Sequence, residues 1–127
     1  ALFTKVKYPY NINVVTQKLV LELLNNDISE QVETIRRQRE TVVSSLASIP
    51  LIKHVYPTDS NFVLVQVDDP RTVYDKLISQ GIIVRDRSRI MGCKGCLRLT
   101  IGTPKENCKL LRVLDEISAE TTNKEAR

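Results

Sequence analysis

Apolar side chains first recur at helical spacing at Val15, Leu19, Val20, Leu23 and Leu24, which predicts a helix over 14–25 with Asn13 as its cap. Asn25, Asn26 and Asp27 break the run. Ile28, Val32, Ile35, Val42, Leu46 and Ile49 then repeat every three or four residues, with Arg39 in the skipped place, predicting a helix over 29–49 that ends at Pro50. Its apolar side is one narrow stripe on a largely polar helix. "LIKHVYP" at 51–57 is a short strand candidate. In "NFVLVQVD" Phe62, Leu64 and Gln66 alternate with Val63, Val65 and Val67, a stronger strand with two different faces. "DDPRTVYDKLISQG" carries a full helix signature: Asp69 caps, Pro70 fits the first turn, Val73, Leu77 and Ile78 form the buried side, and Gly81 stops it. "GIIVRD" at 81–86 and "CLRLTI" at 96–101 are two further strands. "TPKE" is a capping box, with Thr103 as cap and Glu106 reaching back, and Asn107, Leu110, Leu111, Leu114 and Ile117 carry the last helix.

Strands grouped in pairs between helices imply an α+β fold, a two-layer sandwich with a small, mainly antiparallel sheet of about four strands and helices on one face. The expected organisation is a lead-in segment over 1–13, one small domain over 14–120 and a disordered polar tail over 121–127. The loop from Arg87 to Gly95, rich in charge and glycine, should be exposed.

Composition narrows the function classes. A chain of 127 residues, 42% hydrophobic and 27% charged, suits one soluble domain. No apolar run approaches the roughly 20 residues that span a bilayer, and no signal peptide is visible, so the expectation is a cytoplasmic protein away from membranes. The net charge of +4 is spread along the chain, and aromatics are only 5%. A nucleic-acid surface concentrates charge beside stacking rings, so no nucleic-acid partner is expected. Arg36, Arg37 and Arg39 lie beside Glu33 and Glu40 and read as a solvated helix face. The three cysteines are an odd number without a secretion signal, pointing to reduced thiols. Cys93-x-x-Cys96 leads into a strand rather than opening a helix, and the single His54 is distant. A structural or incidental role therefore fits these thiols better than metal or redox chemistry, and no metal is expected.

Arg98 stands between Leu97 and Leu99 in a strand that should be half buried. Alternation sends Leu97, Leu99 and Ile101 to the helices and Cys96, Arg98 and Thr100 the other way. One explanation is a sheet with a wet face. The other is a bound anion: Arg85 ends a neighbouring strand, and "GTP" at 102–104 opens a helix N-terminus, which favours negative charge. Two guanidinium forks can hold carboxylate or phosphate. There is no glycine-rich phosphate loop, and a single histidine supports no Ser-His-Asp arrangement. Asp69 beside Asp68 is better explained as a helix cap than as half of an acid–base pair.

"KYPYNIN" at 7–13, "SNFVLV" at 60–65, "GIIVRDRS" at 81–88 and "GCLRLTIGTPKEN" at 95–107 resemble, in order and spacing, the histidinol-phosphate aminotransferase family of fold-type I enzymes. The resemblance covers nearly the whole chain but only the C-terminal third of such an enzyme. It implies an aminotransferase small domain from a cytoplasmic homodimer of histidine biosynthesis. That enzyme transfers an amino group between L-histidinol phosphate and 2-oxoglutarate, with glutamate as the amino-acid partner, using pyridoxal 5'-phosphate. It also implies a fragment that lacks the N-terminal large domain. The family's Schiff-base lysine sits in a Ser-Lys motif followed by Gly and Arg, which no lysine here matches. No residue of this chain is then catalytic, no cofactor is bound covalently, and the fragment alone should be inactive. Arg98 and Arg85 match the family's substrate-binding arginines. Asn11, Tyr10 and Asn61 could be substrate contacts or hinge and turn residues, and Tyr8 stands where many relatives have proline. Two other readings remain: a free-standing regulatory α+β module that binds a small anionic metabolite, and a weak RNA-binding domain.

Overall fold

The computed structural model describes residues 12–125, with side chains described through Thr122. The chain divides into two compact units at Glu30 and Gln31. In the first, Asn13 caps helix α1 (Val14–Leu23) by accepting from the Thr16 amide at 2.8 Å. α1 buries none of its residues; Val15, Leu19, Val20 and Leu23 all remain exposed. Helix α2 (Ser29–Leu46) crosses the division and continues as a turn in which the Ile49 amide donates to the Leu46 carbonyl. Of the apolar stripe expected along it, Val42, Leu46 and Ile49 are buried, whereas Ile28, Val32 and Ile35 are exposed.

The second unit is a four-stranded antiparallel sheet backed by helices. β1 (His54–Val55), β2 (Phe62–Gln66), β3 (Arg85–Asp86) and β4 (Cys96–Thr100) lie in the order β1-β2-β4-β3. Helices α3 (Pro70–Ser79) and α4 (Pro104–Glu125) complete it. β2 pairs with β4 through Val63↔Leu99 and Val65↔Leu97, so those four side chains share one face. They join Val42 and Leu46 of α2, Val73 and Leu77 of α3, and Leu110, Val113, Leu114 and Ile117 of α4 in a single core. Each fully buried Leu or Val in it contributes on the order of 1.5–3 kcal/mol. The α+β two-layer architecture read from the pattern is the architecture observed.

Several local expectations are corrected. Ile78 is exposed, so Val73 and Leu77 alone form the buried side of α3. "GIIVRD" pairs only through Arg85 and Asp86, because Gly81 and Ile82 belong to the end of α3. Gly81 adopts φ +69°, its amide donates to the Ile78 carbonyl, and the Ile82 amide donates to the Leu77 carbonyl. These are the two hydrogen bonds of a Schellman cap. The last helix runs through Glu125, where a disordered tail was expected from residue 121. The Thr121 and Thr122 hydroxyls donate to the carbonyls of Ile117 and Ser118, so polar side chains continue the helix instead of leaving it. None of the described helices is long and apolar enough to cross a membrane.

Candidate anion-binding face

The sheet face turned away from the core carries the charged chemistry. β4 places Cys96, Arg98 and Thr100 there, opposite Gln66, Leu64 and Phe62 of β2. On its other side Arg85 is the direct register partner of Arg98. Direct antiparallel partners hold their Cβ atoms about 4.5–5.5 Å apart on the same face, so the two arginines rise side by side. The pairing extends one residue beyond β3, where the Arg87 amide donates to the Cys96 carbonyl at 2.9 Å. Two residues from Arg85 in an extended segment, Arg87 shares its face and lies diagonal to Arg98.

Three guanidinium stems therefore meet with little to neutralise them. The ion pairs among the described residues are Lys53–Asp68, Arg71–Asp75, Lys76–Glu120 and Arg112–Glu116, and none involves this cluster. Arg98 is half buried, and its Nε is buried without a hydrogen-bond partner. Burial first, and then the neighbouring charges of Arg85 and Arg87, lower its pKa from the ordinary arginine value. It stays protonated at neutral pH. Partial compensation comes from below: the Arg98 Cζ lies 4.8 Å from the centroid of the Phe62 ring, a cation–π contact. An unpartnered buried donor and three crowded cations are both relieved by an anion whose oxygens accept from several guanidinium N–H groups.

The remaining sequence-predicted residues fall elsewhere. Asn61 precedes β2, and its carbonyl accepts from the Ile101 amide at 2.8 Å, closing the ladder with β4. Strand parity turns it away from the arginine face, three residues along from Leu64. Asn11 and Tyr10 lie outside the described residues. Asp69 caps α3 by accepting from the Thr72 amide at 3.0 Å, as its position in "DDP" implied. The start of α4, considered as an anion site, is occupied by its own side chains. Glu106 accepts from the Thr103 amide and hydroxyl at 2.8 and 2.7 Å, and Asn107 accepts from the Gly102 amide at 2.9 Å. Glu106 already supplies the negative charge which that helix end favours.

Arg87 and Phe62 are the members of the face that strand-by-strand reading passed over. For Arg87 a signal existed, its spacing of two from Arg85. For Phe62 the contact depends on the β2–β4 register, which no local pattern states.

Three comparisons bear on this geometry. The family profile described as aminotransferase class I and II matches residues 2–114. A histidinol-phosphate aminotransferase of Parabacteroides distasonis is 45% identical over 89% of this chain and 33% of its own length. One from Flavobacterium psychrophilum is 44% identical over 90% and 33%. The crystal structure of the histidinol-phosphate aminotransferase from Clostridium acetobutylicum superimposes with a TM-score of 0.79 at 27% identity, over 90% of this chain and 36% of that one. The chain thus spans about a third of the length of these relatives.

Proposed function

This chain belongs to the class I and II aminotransferases, and from that premise we propose that it is the C-terminal part of a histidinol-phosphate aminotransferase whose arginine face grips the anionic end of the substrate. The carrying observation is the register pair Arg85↔Arg98, with Arg87 beside it and no acid paired to any of the three among the described residues. The whole enzyme would move an amino group between L-histidinol phosphate and 2-oxoglutarate, as a cytoplasmic homodimer completed by an N-terminal large domain. Sequence likeness to enzymes of that name supports this reading. It also favours an enzyme part over a free-standing regulatory module.

The family depends on pyridoxal phosphate, which when bound supplies the electron sink for amino transfer. The described residues do not fit its covalent attachment. An imine-forming lysine needs a desolvated amine with a lowered pKa. Here Lys18, Lys53, Lys94, Lys105 and Lys109 are exposed, and the half-buried Lys76 is held by Glu120 at 2.6 Å. No step through the cofactor is therefore derived from this chain.

Binding and orientation are what these residues can do. Histidinol phosphate carries a phosphate and no carboxylate, whereas glutamate carries two carboxylates, and one pocket must take both. Guanidinium forks pair with either anion in a planar, two-point contact. Phe62 beneath Arg98 restricts the tilt of its guanidinium plane, and a fixed anion sets the distance from the far end of the substrate to the reacting carbon.

The test is a chimera in which this segment replaces the corresponding third of the Parabacteroides distasonis enzyme. It should transaminate histidinol phosphate. Arg98→Ala within it should lose about 2–4 kcal/mol of transition-state binding, roughly 30- to 1,000-fold in kcat/KM, with both the phosphate and the dicarboxylate substrate. Undiminished kcat/KM in a folded variant overturns the reading.

A further inference from the structure

The same sheet face ends in two cysteines to which the arginine site gives no role. Cys93 and Cys96 are both free thiols, Cys93 half buried and Cys96 buried. They are the first and last residues of a tight turn, in which the Cys96 amide donates to the Cys93 carbonyl at 3.0 Å. Gly95, third in that turn, has φ +75°, and no described residue other than glycine has a positive φ. A positive φ at the third position only is the mark of a type II turn. The turn is held in that shape: a Cβ at Gly95 would stand 2.7 Å from the Val67 carbonyl oxygen, while the Gly95 carbonyl accepts from the Val67 amide.

Turn ends of this kind keep their Cα atoms under about 7 Å apart, against the roughly 4.4–6.8 Å that a disulfide spans. The Cys96 side chain also folds back over the turn. Its Sγ lies 3.7 Å from the Lys94 carbonyl oxygen, inside the Cys93–Cys96 loop. Burial first, and then the neighbouring Cys93, push the Cys96 thiol above its ordinary pKa. Tyr56 sets its ring edge-on against His54, with centroids 4.5 Å apart.

We propose that Cys93 and Cys96 are a redox-active vicinal dithiol, which a small-molecule disulfide such as oxidised glutathione converts to an intramolecular disulfide at the edge of the arginine face. The half-buried Cys93 is the sulfur reached from solvent. Its thiolate attacks one sulfur of oxidised glutathione, forming a mixed disulfide and releasing one glutathione thiolate. Cys96 then loses its proton and attacks the Cys93 sulfur, forming the ring disulfide and releasing the second glutathione. The two cysteines lose two electrons and two protons, which leave as two molecules of reduced glutathione. Reversible closure of this kind suits an otherwise reducing compartment. Its position gives it a consequence. The carbonyl of Cys96 holds the Arg87 amide, so closing the ring constrains the loop from 87 to 95 that carries Arg87.

The experiment uses the 127-residue chain incubated across a series of oxidised-to-reduced glutathione ratios, then alkylated and weighed intact. The expected product is a monomer lighter by two hydrogens, with alkylatable thiols falling from three to one and the remaining one at Cys108, and full return on reduction. Cys108→Ser should behave identically apart from that thiol. Cys93→Ser should not form the bond, and Cys96→Ser should stop at a glutathione adduct on Cys93. Persistence of all three thiols, a lasting adduct on the unsubstituted chain, or a bond involving Cys108 overturns the proposal. None of these readouts depends on amino transfer, so the assignment of the arginine face stands or falls separately.

Discussion

Arg98 occupies a position that most charged side chains avoid, half buried in the middle of a strand with one N–H unpartnered. Two things make this tolerable: the Phe62 ring 4.8 Å beneath it and an open face from which an anion can reach it. Removing the ring separates these contributions. Phe62→Leu keeps apolar contact with the strand but loses the ring quadrupole, worth about 1 kcal/mol for a partly desolvated pair. Calorimetric titration of the chain with inorganic phosphate should then show affinity about five-fold weaker, with the fold retained by circular dichroism. Equal affinity in the two proteins would mean that the ring does not orient Arg98. The face was only partly legible in the sequence. Alternation in "CLRLT" correctly turned Arg98 away from Leu97 and Leu99. That Arg85 stands directly opposite it depends on strand pairing across 12 intervening positions; local pattern brings the two to the same sheet edge but does not put them in register.

At the scale of elements, end signals were the most readable features. Asn13, Asp69 and Thr103 cap the helices for which their sequence contexts marked them. The α4 cap also has a pH signature. Hydrogen bonds from Thr103 hold the Glu106 carboxyl below its ordinary 4.5. A lowered native pKa means stability that is fully present above the unfolded value and lost as pH falls through the native one. Glu106→Gln keeps an acceptor for Thr103 but removes the titration. Its unfolding midpoint in urea should change little with pH below 4.5, at that site, whereas the unsubstituted chain should lose stability more steeply over the same range. Parallel pH profiles would contradict the capping assignment. Asn107 shows the opposite case, a role hidden from local reading. The sequence pattern places it among the residues carrying the last helix, yet its buried amide donates to Gln38 of α2 and to the Gly102 carbonyl, both at 2.9 Å. It also accepts from the Gly102 amide, so one side chain ties α4 to α2.

For the molecule as a whole, the core belongs to residues 31–127, and the arginine face is the surface that core leaves open. A sheet with helices on one side only has a second face, which must be solvated or covered. The chain spans about a third of the length of its relatives, and in the proposed enzyme the rest of the polypeptide would complete the cleft over this face. The isolated chain, supplied with pyridoxal phosphate, histidinol phosphate and 2-oxoglutarate, should form no glutamate in a coupled assay. Inorganic phosphate should still raise its melting temperature, since a ligand at 100 times its Kd stabilises by about 2.7 kcal/mol. Turnover by the chain alone would refute the proposed division of labour. An unchanged melting temperature in saturating phosphate would argue against the anion site.

Local pattern alone determined the helix caps, the inward and outward faces of β2 and β4 and the α+β class, because each depends on neighbours within a few residues. Tertiary structure decided what depends on distant partners. It set the register that opposes Arg85 to Arg98 and brings Arg87 to the same face, the ring beneath Arg98, and the exposure of the apolar side chains of α1. It also decided the turn at Cys93 and Cys96: the C-x-x-C spacing is visible in the sequence, but only the folded turn, held by Gly95 against Val67, sets the two residues at its two ends.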